Sequence, residues 1–124
     1  MRTDELARRR IVEAGNSVLV NVRKGHDDEL IAWAVETGRY VYIGDKEPHT
    51  KRERSVWYNP FKVAVQGRSE AINLYRTYIS ERLDLMARVP DLRGKVLGCW
   101  CYPQACHGAV LLSFLHKSEN AFKT

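Results

Sequence analysis

Hydrophobic and polar positions along the chain form two kinds of pattern. Short runs of β-branched and aromatic residues, each bounded by polar residues or glycine, predict buried strands over 17–22, 39–43 and 96–101. Elsewhere, apolar residues recur three or four positions apart. That spacing predicts helices over 28–37, from Ser69 to Val89, and from about Cys106 onward.

The alternation of strands and helices favours one fold class. We expect an α/β domain in two or three layers, Rossmann-like, with a mainly parallel sheet of three or four strands flanked by helices. The domain is predicted to span 17–118, between a polar N-terminal arm or helix over 1–16 and a tail over 119–124. Ligands of such sheets bind beyond the carboxyl ends of the strands, so residues that follow each strand are candidates for a site.

The amino-acid composition limits the kinds of partner and the cellular location that we expect for this protein. The chain has 124 residues, 20 Lys and Arg against 15 Asp and Glu, and a net charge of +5. A basic surface of this size permits an anionic partner such as a nucleotide, or a nucleic acid, without requiring one. No uncharged apolar stretch reaches about 18 residues, and the N-terminus does not resemble a secretory signal, so we expect a cytoplasmic protein that does not enter a membrane.

The three cysteines all lie between Cys99 and Cys106, directly before His107 and Gly108. A first interpretation is a zinc site of Cys99, Cys101, Cys106 and His107, which has suitable ligand types but an unusual spacing. In a second, the start of a helix activates Cys106 as a nucleophile, or His107 acts as an acid–base group. In a third, Cys99 and Cys101 are small buried residues on one face of a strand. Gly108 is expected to let a ligand approach the backbone.

The central polar segment, 45–67, is long for a connection inside one domain, which favours a functional role. Within it, Trp57 and Asn59 lie among basic residues, a combination suited to a nucleobase and its phosphates. The alternative is a surface loop whose Trp57 packs into the core and whose Asn59 binds its own backbone.

Two polar residues mark the end of the first predicted strand. Asn21 interrupts an apolar run, so it either binds the backbone of a neighbouring loop or faces the site. Arg23 follows just past the strand and is a candidate for binding an anion.

Five short motifs, in this order along the chain, resemble one known family: Asn-Val-Arg-Lys-Gly, Tyr-Ile-Gly, Ser-Val-Trp-Tyr-Asn-Pro-Phe, Leu-Arg-Gly-Lys and Cys-Trp-Cys-x₄-Cys-His-Gly. The family comprises small domains of unknown function from bacteria, archaea and their viruses, and the resemblance covers about residues 18–115. Its members usually have Trp-Gly-Asn-Pro-Phe where this chain has Tyr58, and an aspartate where Ala109 stands. The resemblance implies a site built from these motifs and a phage or bacterial origin, but no particular reaction.

These observations predict a nucleotide- or nucleoside-handling protein with its site at the carboxyl ends of the strands. Asn21 and Arg23 are expected to hold phosphate or ribose, and Trp57 and Asn59 the base. The alternative is a zinc-dependent or metal-free module that binds nucleic acid or a host protein. The residues do not decide between an enzyme and a binding protein.

Overall fold

The computed structural model describes residues 1–47 and 52–123, with side chains as far as His116. The described strands are β1 (Val18–Asn21), β2 (Tyr40–Tyr42) and β3 (Val96–Cys99). The described α-helices are α1 (Thr3–Glu13), α2 (Asp28–Glu36), α3 (Val63–Gln66), α4 (Arg68–Glu81), α5 (Leu83–Met86) and α6 (His107–Lys123). A 3-10 turn, Val89–Leu92, precedes β3.

The strands form one parallel sheet in the order β1-β3-β2, which confirms the α/β class. On one side of the central strand Val18 pairs with Val96, and on the other Tyr40 pairs with the same residue. All three strands therefore start at the same level, and β2 ends one register position before β1 and β3. Because β3 is central, the segment after Cys99 emerges between the ends of the two outer strands.

The sheet separates two apolar clusters, one on each face. Successive side chains of a strand point to opposite faces. Val18 and Val20 pack with Leu30 beneath α1 and α2, while Leu19 joins the larger cluster with Tyr75 of α4. The larger cluster also contains the buried face of α6. The sheet is thus sandwiched between two helical layers, and its carboxyl edge is left to the loops.

The structure corrects the predicted helix from Ser69 to Val89. Helix α4 begins at Arg68, and the position before it is Gly67 with a φ of +81°, so Ser69 lies within the first turn and does not begin the helix. The helix stops at Glu81 because Arg82 leaves helical geometry at ψ 87°. Helix α5 and the 3-10 turn complete the segment.

The predicted strand over 96–101 is also too long. It ends at Cys99, so Cys101 does not share a strand face with Cys99. The side-chain amide of Asn21 donates to the Tyr102 carbonyl at 2.6 Å, and the Gln104 amide donates to the Cys101 carbonyl at 2.8 Å. These bonds hold the chain in a turn away from the sheet.

Among the described helices, none combines the length and the apolar character needed to span a bilayer.

Candidate ligand-binding cavity

A cavity of about 360 Å³ opens at the carboxyl ends of β2 and β3, beside the start of α6. Its size falls within the range of small-molecule sites, roughly 300–1,000 Å³. Its walls come from four parts of the chain: Gly44 and Asp45 after β2; Asn59, Phe61, Lys62 and Val63; Arg68 and Ile72 of α4; and Cys99, Trp100, Cys101, Ala105, Cys106 and His107. Segments far apart in sequence therefore share one cavity at this edge of the sheet.

His107, the first residue of α6, lies against the end of β2. Its Nε2 is 2.7 Å from the carbonyl oxygen of Ile43, and its ring meets the Tyr75 ring edge-on at 4.9 Å between centroids. Burial lowers the pKa of His107, although the Ile43 carbonyl partly opposes this effect. At neutral pH the imidazole is therefore uncharged, with its proton on Nε2 directed at Ile43. The lone pair of Nδ1, which has no hydrogen bond to a described residue, remains available.

Cys99 and Cys106 form a close pair of thiols in the cavity wall. Their sulfur atoms are 3.2 Å apart, and both side chains are buried. The contact with the Cys106 thiol, together with the backbone N–H groups of Cys101 and Tyr102, outweighs burial and lowers the pKa of Cys99 to about 7. The same pairing, together with burial, raises the pKa of Cys106. This geometry does not support Cys106 as an ionised nucleophile.

The predicted zinc ligands do not fit a tetrahedral site. Two sulfurs on one zinc ion lie about 3.8 Å apart at ordinary bond lengths, longer than the 3.2 Å found between Cys99 and Cys106. The Nε2 atom of His107 is directed at the Ile43 carbonyl. Within the described residues, no three His, Cys, Asp or Glu side chains are grouped so as to hold a metal ion.

Two cationic side chains, Lys62 and Arg68, line the cavity and differ in the charge of their partners. The Lys62 ammonium lies 2.8 Å from Asp45, and Arg54 lies 2.7 Å from the same carboxylate. Led by Lys62, these contacts hold the pKa of the Asp45 carboxyl well below its usual range. Arg68 instead donates to neutral acceptors, the Ala105 carbonyl at 2.8 Å and the Gln104 side-chain oxygen at 2.9 Å. Its positive charge is therefore not neutralised by a described carboxylate.

The aromatic wall of the cavity consists of Phe61 and Trp100. The Trp100 indole N–H donates to the Tyr42 hydroxyl at 3.0 Å, and Phe61 meets Tyr78 edge-on at 6.2 Å between ring centroids. Sequence reasoning did not select Trp100 or Arg68, and it included Lys62 only among the basic residues of the central segment that suit phosphates and Phe61 only as a residue more suited to packing. The one available signal was position, because Trp100 directly follows the central strand.

Asn21 and Arg23 do not reach this cavity. Asn21 is 5% exposed. Its Nδ2 donates to the Tyr102 carbonyl at 2.6 Å and its Oδ1 accepts the Arg23 amide at 2.8 Å. Of the two interpretations of Asn21, the backbone-binding one agrees with this geometry. The side chain of Arg23 is exposed outside the cavity wall.

Trp57 and Gly108 are packing residues. Trp57 is 4% exposed within the larger core, and the Tyr75 hydroxyl donates to its carbonyl at 2.7 Å. A Cβ atom on Gly108 would lie 2.6 Å from Leu19 Cδ2 and 2.9 Å from Ile43 Cδ1. The expectation that Gly108 admits a ligand is therefore wrong: the space beside it belongs to the core.

Asn59 does line the cavity, but its amide already has internal partners. Its Nδ2 donates to the Ala71 carbonyl at 3.2 Å, and its Oδ1 accepts the Phe61 amide at 2.9 Å. One N–H and one lone pair remain for a ligand. The main effect of Asn59 is to fix the turn that presents Phe61 and Lys62.

Residues 20–117 match the domain of unknown function DUF4326. The chain belongs to this family. It is also 31% identical over 105 residues to the uncharacterized protein R718 of Acanthamoeba polyphaga mimivirus, which covers 77% of this chain and 76% of the relative. No solved structure matches the chain at a significant level. The expected membership in a family of unknown function is thus confirmed, together with a viral relative.

Proposed function

We propose that this DUF4326 domain binds a nucleotide or nucleoside in the cavity at the carboxyl ends of β2 and β3, in the cytoplasm of a bacterium or a virus-infected cell. The observation that carries the proposal is the combination, in one cavity, of two aromatic rings with an arginine that has no carboxylate partner among the described residues. A nucleotide presents the matching groups, a flat apolar base and an anionic phosphate.

The rings of Phe61 and Trp100 provide surfaces on which a base can stack. Stacking of a base on an aromatic side chain contributes about 1–3 kcal/mol and tolerates any base. The free N–H of Asn59 and the Nδ1 lone pair of His107 provide one donor and one acceptor for the polar edge of a base or for ribose. His107 is also the candidate general base if the domain catalyses a reaction.

Arg68 is the proposed phosphate ligand. A guanidinium has five N–H donors. Arg68 uses one N–H of Nη1 and one of Nη2 for internal acceptors, so the other N–H groups can bind a ligand. Those acceptors, Ala105 and Gln104, precede α6, so the guanidinium lies near the positive end of this helix. A phosphate there would meet the Arg68 guanidinium near the positive end of α6.

The test is a binding titration with nucleoside monophosphates, the matching nucleosides and inorganic phosphate. Arg68→Gln is expected to weaken monophosphate binding about ten- to hundredfold, the equivalent of one charge-assisted hydrogen bond of about 1.5–3 kcal/mol. Nucleoside binding should change little. Arg76→Gln is the matched control, because Arg76 lies on the same helix but contacts Ser113 and the Phe114 ring outside the cavity.

Three results would contradict the proposal. The first is an absence of binding to every nucleotide and nucleoside at about millimolar concentration. A Kd in that range corresponds to a binding free energy of only about 4 kcal/mol. The second is an equal loss of affinity in the Arg68 and Arg76 variants, which would reflect net charge alone. The third is steeply salt-dependent binding of single-stranded DNA or RNA without binding of mononucleotides, which would favour the nucleic-acid module.

A further inference from the structure

Two buried cysteines from different elements meet in the cavity wall. Cys99 is the last residue of β3, held in the ladder by the Val22 amide, which donates to its carbonyl at 2.9 Å. Cys106 directly precedes α6, and its carbonyl accepts the Ala109 amide at 3.0 Å. The backbone thus holds both residues in place, and their sulfurs lie 3.2 Å apart.

We propose that Cys99 and Cys106 are a reactive dithiol that a small hydroperoxide entering the cavity oxidises to a disulfide. The inference does not depend on nucleotide binding. It rests on the facing sulfurs, on their position between two fixed elements, and on the cavity that both residues line.

Cys99 is the attacking sulfur, because its anion is the one that the surroundings stabilise. The Cys106 sulfur lies 3.2 Å from that of Cys99, and this contact, together with the nearby backbone N–H groups of Cys101 and Tyr102, lowers the pKa of Cys99. The Cys99 thiolate attacks the terminal oxygen of the hydroperoxide and breaks the O–O bond. Cys99 becomes a sulfenic acid, and the leaving alkoxide or hydroxide takes a proton.

Cys106 completes the reaction. Its sulfur attacks the sulfenic sulfur of Cys99, the S–O bond breaks, and the Cys106 proton leaves with the hydroxide as water. Two thiols and one hydroperoxide give one disulfide, one water and one alcohol, or two waters from hydrogen peroxide. The sulfurs must approach by about 1.1 Å to reach a bond length of about 2.05 Å, starting from 3.2 Å.

Cys101 serves as an internal comparison. It lines the same cavity and is more exposed than the pair, yet its sulfur makes no hydrogen bond to another described side chain. Exposure alone would make Cys101 the oxidised residue. Proximity predicts the opposite, a bond between the two buried cysteines and a free Cys101.

The experiment treats the reduced, folded protein with equimolar hydrogen peroxide in the presence of a chelator, then alkylates it after denaturation. We expect the intact mass to fall by about 2 Da before alkylation, and one thiol to remain for the label. Trypsin leaves all three cysteines in one peptide, since the flanking sites are Lys95 and Lys117. Cleavage after Trp100 by chymotrypsin separates Cys99 from the others, and fragmentation should find the label on Cys101.

Variants test the order of the two steps. Cys106→Ser should accumulate the Cys99 sulfenic acid, which dimedone traps, whereas Cys101→Ser should form the disulfide as the wild type does. Disulfide formation in the folded wild type should be at least about tenfold faster than in urea, because the fold holds the sulfurs together. Thermal melting shows whether each variant is folded. If one is not, peptide mapping of the oxidised wild type still shows which two cysteines are bonded.

The proposal is overturned if all three thiols remain after oxidation, if the bond includes Cys101, or if the folded and unfolded chains react at the same rate. A folded Cys106→Ser variant with no dimedone adduct on Cys99 would likewise contradict it.

Discussion

The carboxyl end of β1 and the carboxyl ends of β2 and β3 lie at the same edge of the sheet but differ in how their polar groups are used. At the end of β1, Asp27 is 2% exposed and accepts hydrogen bonds from Arg8 at 2.6 Å and from the Asn21 amide at 2.8 Å. Arg2 donates to the same carboxylate at 3.0 Å. The buried polar groups of this region, Asp27, Arg8 and Asn21, therefore all have internal partners.

At the ends of β2 and β3, by contrast, there is a cavity, and Arg68 and Asn59 in its wall have N–H groups that their internal hydrogen bonds do not use. Arg8 faces a buried carboxylate, whereas Arg68 faces only neutral acceptors. The density of charged residues therefore does not identify the site. Unused donors and acceptors beside a cavity are the better criterion for proposing a site, because a ligand can bind there without displacing an internal partner.

The largest expected effect is a loss of stability on disrupting the buried ion pair of Asp27 and Arg8 at the end of β1. Asp27→Asn removes the buried counter-charge of Arg8 and leaves it only the exposed carboxylate of Asp4 at 3.1 Å. Removal of one partner from a buried ion pair costs up to about 3–5 kcal/mol. Urea denaturation should show this loss in the free energy of unfolding. Nucleotide binding by the remaining folded protein should be unchanged.

The pH dependence of the same pair supplies a second readout. Burial alone would raise the pKa of Asp27, but the bonds from Arg8 and the Asn21 amide outweigh it, and the net pKa is lowered from 3.8. The stabilisation is therefore present above about pH 4 and is lost as the pH falls through the lowered value. Asp27→Asn should flatten this acid-side decline. Asp84→Asn, which breaks an exposed pair with Arg82, should change little, and equal effects of the two variants would contradict the comparison.

The next effect concerns the boundary between the core and the cavity. Gly108→Val would place atoms against Leu19 and Ile43, and overpacking of this kind costs about 1–3 kcal/mol. Thermal melting should show the loss. Ala109→Val, at an exposed position of the same helix turn, should cost under about 1 kcal/mol. If Gly108→Val instead keeps full stability and abolishes ligand binding, Gly108 belongs to the site after all.

The smallest effect is the pH response of the cavity itself. Because burial lowers the pKa of His107 below 6.5, the unfolded chain takes up a proton first as the pH falls. Stability contributed by the neutral ring is complete above pH 6.5 and declines below it until the lowered pKa is reached. His107→Gln should remove this part of the slope in melting temperature, and His26→Gln, at an exposed position, should retain it. An unchanged slope in the His107 variant would show that the ring is not held neutral.

The periodicity of the sequence determined the α/β class, because strands and helices bury apolar residues at different spacings. It also determined that Cys99, Cys106, His107 and Asn59 lie near the carboxyl edge, since each follows or faces the end of a strand. The resemblance to a family of unknown function depended on short motifs alone. None of these conclusions required knowledge of which side chains touch.

Only the tertiary structure decided which candidate residues already bind or pack against other parts of the protein. Asn21 and Trp57 have the chemistry of ligand-binding residues, yet one binds the Tyr102 carbonyl and the other fills the core. Arg68 and Trp100 looked ordinary in sequence, yet both line the cavity. A sequence states what a side chain can bind, but only the fold states whether a partner, a neighbouring core residue or open space lies within reach of it.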